Sequence, residues 1–357
     1  MGEAFLLRRG GAVSGIEITR MPDRTVYGAG VGDTFDPTGM IVCAKLGAMR
    51  VPLKMSEAQG DGGWTYSPAG ELTSGTSQIT VSAAIGQATW TATVPITVST
   101  NSNFGSNSWA VIAAACAAGK VPDSWALGAK KSISFRGENW NVVIIGKNHD
   151  TLSQLDEKTG TGYNGGTGKA ALTLQFENCV ETAPIYESTS GVTYVDWRTT
   201  DMFTKTLPGI ENDLPADLRP YLRTVVKQTY QWVWKQYDDT WQNDYATTDQ
   251  RVTILSEKES RGTGRAGNGS PTDRQYAWYQ QSGSTGRIPK SGAPYNEPEN
   301  NPQWHSMWFR HIFPYPGTSG GHYYPSLNRF SCYHNQNGHT EAGKVTDSKW
   351  VTPVFFL

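Results

Sequence analysis

Thr93-Val94-Pro95-Ile96-Thr97-Val98 is followed by Ser99-Thr100-Asn101-Ser102-Asn103-Phe104-Gly105-Ser106, and soon after by Trp109-Ala110-Val111-Ile112-Ala113-Ala114-Ala115-Cys116-Ala117-Ala118. Across this stretch the pattern passes from period-2 alternation, through a polar run with no apolar period, to an Ala-rich block that Gly119 is placed to end. The composition changes at the same point. Residues 1–100 hold two of the 13 tryptophans, two of the 16 tyrosines and no histidine. Two different cores are implied, with the seam at Ser99–Ser106. The expected division is a leader over 1–12, a first domain over 13–99, a linker over 100–106 and a second domain over 107–357.

Before the seam, Ile16-Glu17-Ile18-Thr19, Met40-Ile41-Val42-Cys43-Ala44, Arg50-Val51-Pro52-Leu53 and Ile79-Thr80-Val81-Ser82 read as further short strands. Gly and Pro punctuate them at close intervals, the pattern of a β-sandwich. Pro52 and Pro95 belong at strand edges, because proline cannot donate to a ladder. After the seam the Ala-rich block predicts a buried helix, capped by Asn107 or Ser108. Ser132-Ile133-Ser134-Phe135 and Trp140-Asn141-Val142-Val143-Ile144-Ile145 predict a hairpin. A second helix is expected over about 216–235, with Leu218, Leu222, Val225, Val226 and Val233 on its apolar face and Pro220 limiting or kinking its first turn. Strands are expected at Arg251–Ser256 and Trp350–Leu357. Helices beside short strands and long Gly- and Asn-rich loops make an α+β domain, so the chain as a whole is mainly β and α+β.

The chain has 357 residues, 18% charged, with a formal net charge of −1. That charge gives no pull toward nucleic acid or anionic lipid. No run approaches the roughly 18 apolar residues that cross a bilayer, so membrane insertion is not expected. Arg8 and Arg9 follow Phe5-Leu6-Leu7, the reverse of a signal peptide's order. The four cysteines, Cys43, Cys116, Cys179 and Cys332, are far apart and form no CxxC pair, so buried free thiols are expected rather than a zinc site.

Two resemblances are carried by residues already in view. Ile16-Glu17-Ile18, Pro22-Asp23-Arg24-Thr25-Val26-Tyr27, Phe35-Asp36-Pro37-Thr38-Gly39-Met40 and the closing Val94–Val98 resemble a bacterial immunoglobulin-like domain over about 13–99. Such domains serve as spacers or adhesion modules. The features after the seam resemble, in order, an uncharacterised domain family of phages and gut bacteria thought to have a C-type-lectin-like fold. The matching pieces are Trp109–Gly119, Trp125–Gly128, Ile145–Asp150, Leu214–Leu218, Ile254–Glu257, Trp308-Phe309-Arg310 and Val351–Phe355. This chain departs from that pattern in long loops at 158–170 and 258–303. Met1–Gly11 is similar to short leaders on structural proteins of phages. The resemblance implies structural roles for Trp109, His149, Asp150, Trp308, Arg310 and Pro353.

Motifs that carry chemistry elsewhere lack their context here. Gly160-Thr161-Gly162-Tyr163-Asn164-Gly165 spells GxGxxG, but polar Thr151–Lys158 precedes it where a strand is needed. Gly168-Lys169-Ala170 lacks the hydroxyl that would hold magnesium. Asn148-His149-Asp150 contains an Asp that could orient a His, yet nothing identifies a nucleophile beside it, and a turn with a hydrogen-bonded His149 is the expectation. Asn296-Glu297-Pro298-Glu299-Asn300 is near the Glu-Pro-Asn of sugar-binding lectins, with Glu299 in the third place. No cofactor is expected, calcium being the one ion those oxygens would suit. Asp150, Asp156 and Glu157, or Asp238, Asp239 and Asp244, supply carboxylates for a hydrolase only if two of them face each other across a cleft. His305, His311, His322, His334 and His339 contain no HxH or HxxxH spacing for a metal.

The segment from Trp304 to Leu357 holds five of the six histidines and 12 of the 40 aromatic residues, with six charged ones. Trp304, Trp308, Phe309, Phe330, Trp350, Phe355 and Phe356 are expected in the core. His322, Tyr323, Tyr324, Asn328, Arg329, Tyr333, His334, Asn335, Asn337 and His339 lack an apolar period and mix aromatic with amide groups, as paratopes do. They are the candidate ligand-binding face. The expectation is a non-enzymatic virion protein made in the host cytoplasm and displayed on the particle surface. It would act as a homo-oligomeric adhesin held by other virion subunits, recognising a host-surface glycan or protein. A structural decoration protein and a surface glycan hydrolase are the alternatives.

Overall fold

The computed structural model describes residues 12–56, 63–99, 102–154, 168–188, 196–235, 240–262, 272–281, 290–291, 307–310, 316–319, 322–325, 330–334 and 340–357. The chain is mainly β and forms two compact units, Met1–Ser102 with Asn107–Pro122, and Asn103–Ser106 with Asp123–Leu357. The division differs from the compositional seam. The Ala-rich helix belongs with the first unit, and Phe104, inside the supposed linker, is a 1%-exposed core residue of the second. Aromatic content marks a core of large side chains, but a helix of small residues carries no such mark.

In the first unit, β1 (Gly15–Arg20), β2 (Val26–Tyr27), β3 (Ile41–Leu46), β4 (Met49–Pro52), β5 (Trp64–Ser67), β6 (Gln78–Ile85), β7 (Ala88–Pro95) and β8 (Thr97–Val98) follow in order. They form antiparallel sheets β1-β3-β4 and β5-β6-β7, with a small parallel β2-β8 pair. Alternation decides which face is buried. Ile79, Val81, Ala83 and Ile85 of β6 share one core with Ile16, Val42, Ala44 and Leu46 of the other sheet. Pro52 and Pro95 end the edge strands β4 and β7, where no ladder donor is lost. Helix α1 (Trp109–Ala117) is capped by the Ser108 hydroxyl, which accepts from the Val111 N–H. At its other end the Lys120 N–H reaches the Ala115 carbonyl and the Gly119 N–H the Cys116 carbonyl, with Gly119 at φ 65°. Both bonds of a Schellman motif are present, as the glycine placement implied.

The second unit runs β9 (Lys130–Phe135), β10 (Glu138–Lys147), β11 (Leu172–Phe176), β12 (Asn178–Cys179), β13 (Glu181–Ala183), helix α2 (Leu207–Asp213), β14 (Val225–Lys235), β15 (Thr240–Gln250), β16 (Val252–Thr253), helix α3 (Glu257–Arg261) and helix α4 (Ala277–Gln280). It continues with β17 (Lys290–Ser291), β18 (Met307–Trp308), β19 (Pro316–Ser319), β20 (His322–Pro325), β21 (Phe330–His334), β22 (Thr340–Gly343), β23 (Lys349–Val351) and β24 (Val354–Phe356). One antiparallel sheet has the order β16-β24-β11-β10-β9 and another, mixed, the order β13-β23-β18-β21-β22. Phe135, Trp140, Phe176 and Phe355 meet edge-on across the first, with ring centroids 5.0 to 6.3 Å apart. Such contacts add about 0.5–1.5 kcal/mol each beyond area burial.

The expected hairpin is β9-β10, turned on two residues alone, Arg136 at φ 53° and Gly137 at φ 82°. The helix expected over about 216–235 is absent. Arg219–Tyr221 is a single 3₁₀ turn, and from Val225 the chain is strand, paired residue for residue with Thr240–Gln250. Pro220 withholds a backbone donor, and β-branched Val225, Val226, Thr229 and Val233 suit a pleated strand better. The strand expected at Arg251–Ser256 stops at Thr253, because Ser256 turns to cap α3. Trp350–Leu357 is two strands in two sheets, β23 and β24, broken at Thr352-Pro353. Pro353 acts there through its carbonyl, which accepts from the Phe176 N–H at 3.1 Å.

Candidate functional site

The segment 316–343 folds as two antiparallel pairs, β19-β20 and β21-β22. His322, Tyr323 and Tyr324 lie on β20, opposite Ser319, Thr318 and Gly317. Tyr333 and His334 lie on β21, opposite Trp308 and Met307 of β18. Asn328, Arg329, Asn335, Asn337 and His339 lie outside the described residues, as do the GxGxxG stretch, Asn296–Asn300, His305, His311, Asp156, Glu157, Asp238 and Asp239.

The roots of this segment are fixed in the core. Trp308 and Phe309 are buried, with the Trp308 Nε1 donating to the Ala183 carbonyl at 2.7 Å. On the far side Val345 accepts from both Ile185 and Tyr186 N–H groups, and Val351 is buried in β23. Phe355 and Phe356 are core as expected, and Trp350 is half-buried against it. Trp304 and Phe330 have no described side chain.

Beside that root sits a constellation that no local pattern announced. Lys227 Nζ donates to Asp150 Oδ1 at 2.5 Å, to Glu259 Oε1 at 2.6 Å and to Tyr276 Oη at 3.1 Å. Tyr276 Oη donates in turn to the Asp150 carboxylate at 2.9 and 3.0 Å, and the Thr173 hydroxyl donates to Asp150 Oδ2 at 2.5 Å. Arg310 Nη2 lies 3.0 Å from Glu259 Oε2, and its Nη1 donates to the Gln228 carbonyl at 2.6 Å. Asp273 Oδ1 stands 3.8 Å from Arg310 Nη2. None of Asp150, Lys227, Glu259, Asp273, Tyr276 and Arg310 is more than 6% exposed.

Each partner is delivered by a local device. Asn148 at φ 48° turns the chain after β10 and points Asp150 inward, while Gly146 leaves room for the Tyr276 ring, whose Cδ1 a Cβ there would meet at 2.7 Å. Lys227 occupies an inward position of β14, between buried Val225 and Thr229. Ser256 and Glu259 form a capping box that starts α3 and aims Glu259 at both cations. His149 stacks on Tyr276 with ring centroids 3.9 Å apart, donates from Nε2 to the Arg274 carbonyl, and places Nδ1 3.4 Å from Asp150 Oδ1. His149 and Asp150 thus hold a turn, and Trp308 and Arg310 anchor a root. Trp109 is buried in α1 of the first unit.

The electrostatics follow from enclosure. Burial would raise the Asp150 carboxyl, but Lys227 and the surrounding donors hold it far below the usual carboxylate range. Glu259 is lowered in the same way, against burial, by Lys227 and Arg310. Asp273 goes the other way: burial first, and then the Glu259 anion, push it up to about 6. Asp273 and Glu259 are close carboxylates with one raised, the arrangement a hydrolase would need. Both are enclosed, and Glu259 is saturated by two cations and its own helix start. Among the described residues no cluster of His, Cys, Asp and Glu has the arrangement of a metal site. A comparison with protein-family models and with curated proteins finds no match to the chain.

Proposed function

We propose that the chain is a virion-displayed adhesin, in which an immunoglobulin-like sandwich acts as spacer and a C-type-lectin-like unit presents the 316–343 segment to a host-surface glycan or protein. One observation carries the reading. The segment 316–343, rich in Tyr, His, Asn and Ser and poor in charge, runs between roots buried at Trp308–Arg310 and at Val345 and Val351. A rigid base with a chemically adaptable insert suits recognition, because binding then orders few groups. Aromatic faces stack on sugar C–H patches, and amides satisfy hydroxyls. Repeated copies on a particle would turn weak single sites into firm attachment.

The test is binding of the labelled full-length protein, alone and as a multivalent array, to intact bacterial cells and their isolated wall glycans. The variants are separated by strand: His322→Ala with Tyr323→Ala and Tyr324→Ala on β20, against Tyr333→Ala with His334→Ala on β21. Selective binding lost in one variant and kept in the other supports the adhesin and assigns the strand that carries it. No binding by the array to any surface favours a decoration protein that contacts only neighbouring virion subunits.

A further inference from the structure

We propose that the enclosed cluster around Lys227 is a proton-operated latch: a proton on Asp273 holds the 272–281 segment and the Arg310 root closed, and its loss slackens both. The inference is independent of what the chain binds. Three carboxylates, Asp150, Glu259 and Asp273, face two cations, Lys227 and Arg310, in a space where none is more than 6% exposed. With these five groups ionised and the His149 imidazole beside Asp150 neutral, the cluster has one negative charge too many, and an unpaired buried charge is costly.

The geometry says which acid takes the proton. Asp150 is saturated by Lys227, Tyr276 and Thr173, with His149 beside it. Glu259 is saturated by Lys227, Arg310 and the Ser256 N–H. Asp273 has the Ser256 hydroxyl as hydrogen-bond partner, but it faces Arg310 only at 3.8 Å, beyond hydrogen-bonding distance, and faces the Glu259 anion as well. A neutral carboxyl at Asp273 leaves two anions against two cations. The shift is upward, from 3.8 to about 6. A carboxyl raised on folding favours the folded state while it is protonated, so this contribution falls as pH rises from about 4 through about 6 and is constant above.

The latch joins elements far apart in the chain. Tyr276, three residues after Asp273, binds Asp150 beyond β10 through its hydroxyl and the Glu259 carbonyl through its N–H at 2.9 Å. Arg310 ties α3 to β14 at the root of the 316–343 segment, and its own N–H donates to the Leu255 carbonyl at 2.8 Å. Opening at Asp273 therefore reaches β18 through Arg310, which follows it in the chain.

The experiment is amide hydrogen exchange of the full chain at about pH 4.5 and about pH 7.5, corrected for intrinsic rates, with β6 of the first unit as internal reference. Protection at Tyr276, Tyr279 and Arg310 is expected to fall roughly 10- to 100-fold at the higher pH, and to be level in Asp273→Asn. Unchanged protection in the wild-type chain, or the same fall in the variant, overturns the latch. Should Asp273→Asn not fold, carboxyl NMR of the wild-type chain decides: a midpoint near 6 for Asp273 supports the latch, and the ordinary value of 3.8 overturns it.

Discussion

Replacing Lys227 by Met keeps the length of the side chain and removes the one ammonium that Asp150, Glu259 and Tyr276 share. What remains sets the size of the effect. Asp150 keeps the hydroxyls of Tyr276 and Thr173, and Glu259 keeps Arg310 and its capping bond, so neither carboxylate is stripped. At neutral pH Asp150, Glu259 and the ionised Asp273 nevertheless remain against the single cation Arg310. Breaking a buried pair by removing one partner costs about 3–5 kcal/mol, and these surviving donors place the loss near about 3 kcal/mol at neutral pH. The assay is urea unfolding of the full chain, read on the transition of the second unit. The pH dependence checks the cause. In the wild-type chain Asp150 is depressed, so its stabilisation is present above the ordinary carboxylate value and lost as pH falls below it. Without Lys227 the carboxyl rises and protonates at little cost, so the deficit should narrow as pH drops toward about 4. Adding Asp150→Asn should recover part of the loss at neutral pH. A deficit below about 1 kcal/mol, or one unchanged between neutral and acid pH, would refute the view that these charges are enclosed and mutually dependent.

Two further outcomes are expected. Gly32→Ala places a Cβ 2.3 Å from the Ala118 Cβ, whereas Gly30→Ala meets nothing within 4 Å; both sit at positive φ. Thermal melts should show a cost of about 1 kcal/mol at Gly30, from backbone conformation alone, and a clearly larger one at Gly32. Cys43, Cys116 and Cys179 are buried and in no disulfide, and burial pushes the Cys179 thiol up to about 11. A thiol-labelling time course should leave these three unmodified in the native chain and release them together with unfolding.

The legible parts of the fold were those governed by local pattern. Alternation in Ile79–Ser82, the turn after Phe135, and Ser108 and Gly119 around an Ala-rich block each carry their physics within a few residues. The segment 216–235 failed because Leu218, Leu222 and Val225 fit a helical period, while Val225, Thr229 and Val233 fit a strand equally well, and only pairing with β15 decides. The charged cluster was illegible for a different reason. Its partners stand 32 to 126 residues apart, and an ion pair across such distances has no periodicity. Two faint signs existed: Ser256-Glu257-Lys258-Glu259 spells a capping box, and Lys227 falls on the inward parity of a strand. Arg310 was marked only through the expected resemblance to a lectin-like family, and Asp150 also as a possible partner of His149 or a hydrolase carboxylate, but neither reading gave their partnership.

Strand β24 lies between β16 and β11, and on either side of it the sheet is built from residues made at least a hundred positions earlier. A ribosome that has released everything up to residue 350 has therefore made a sheet with its middle missing, and Leu174 and Val252 both wait for Phe355. The second unit must stay open, with its apolar interior accessible to chaperones or to other chains, until Val354–Phe356 emerge. The first unit carries no such debt, since every strand of its two sheets lies within residues 15–98.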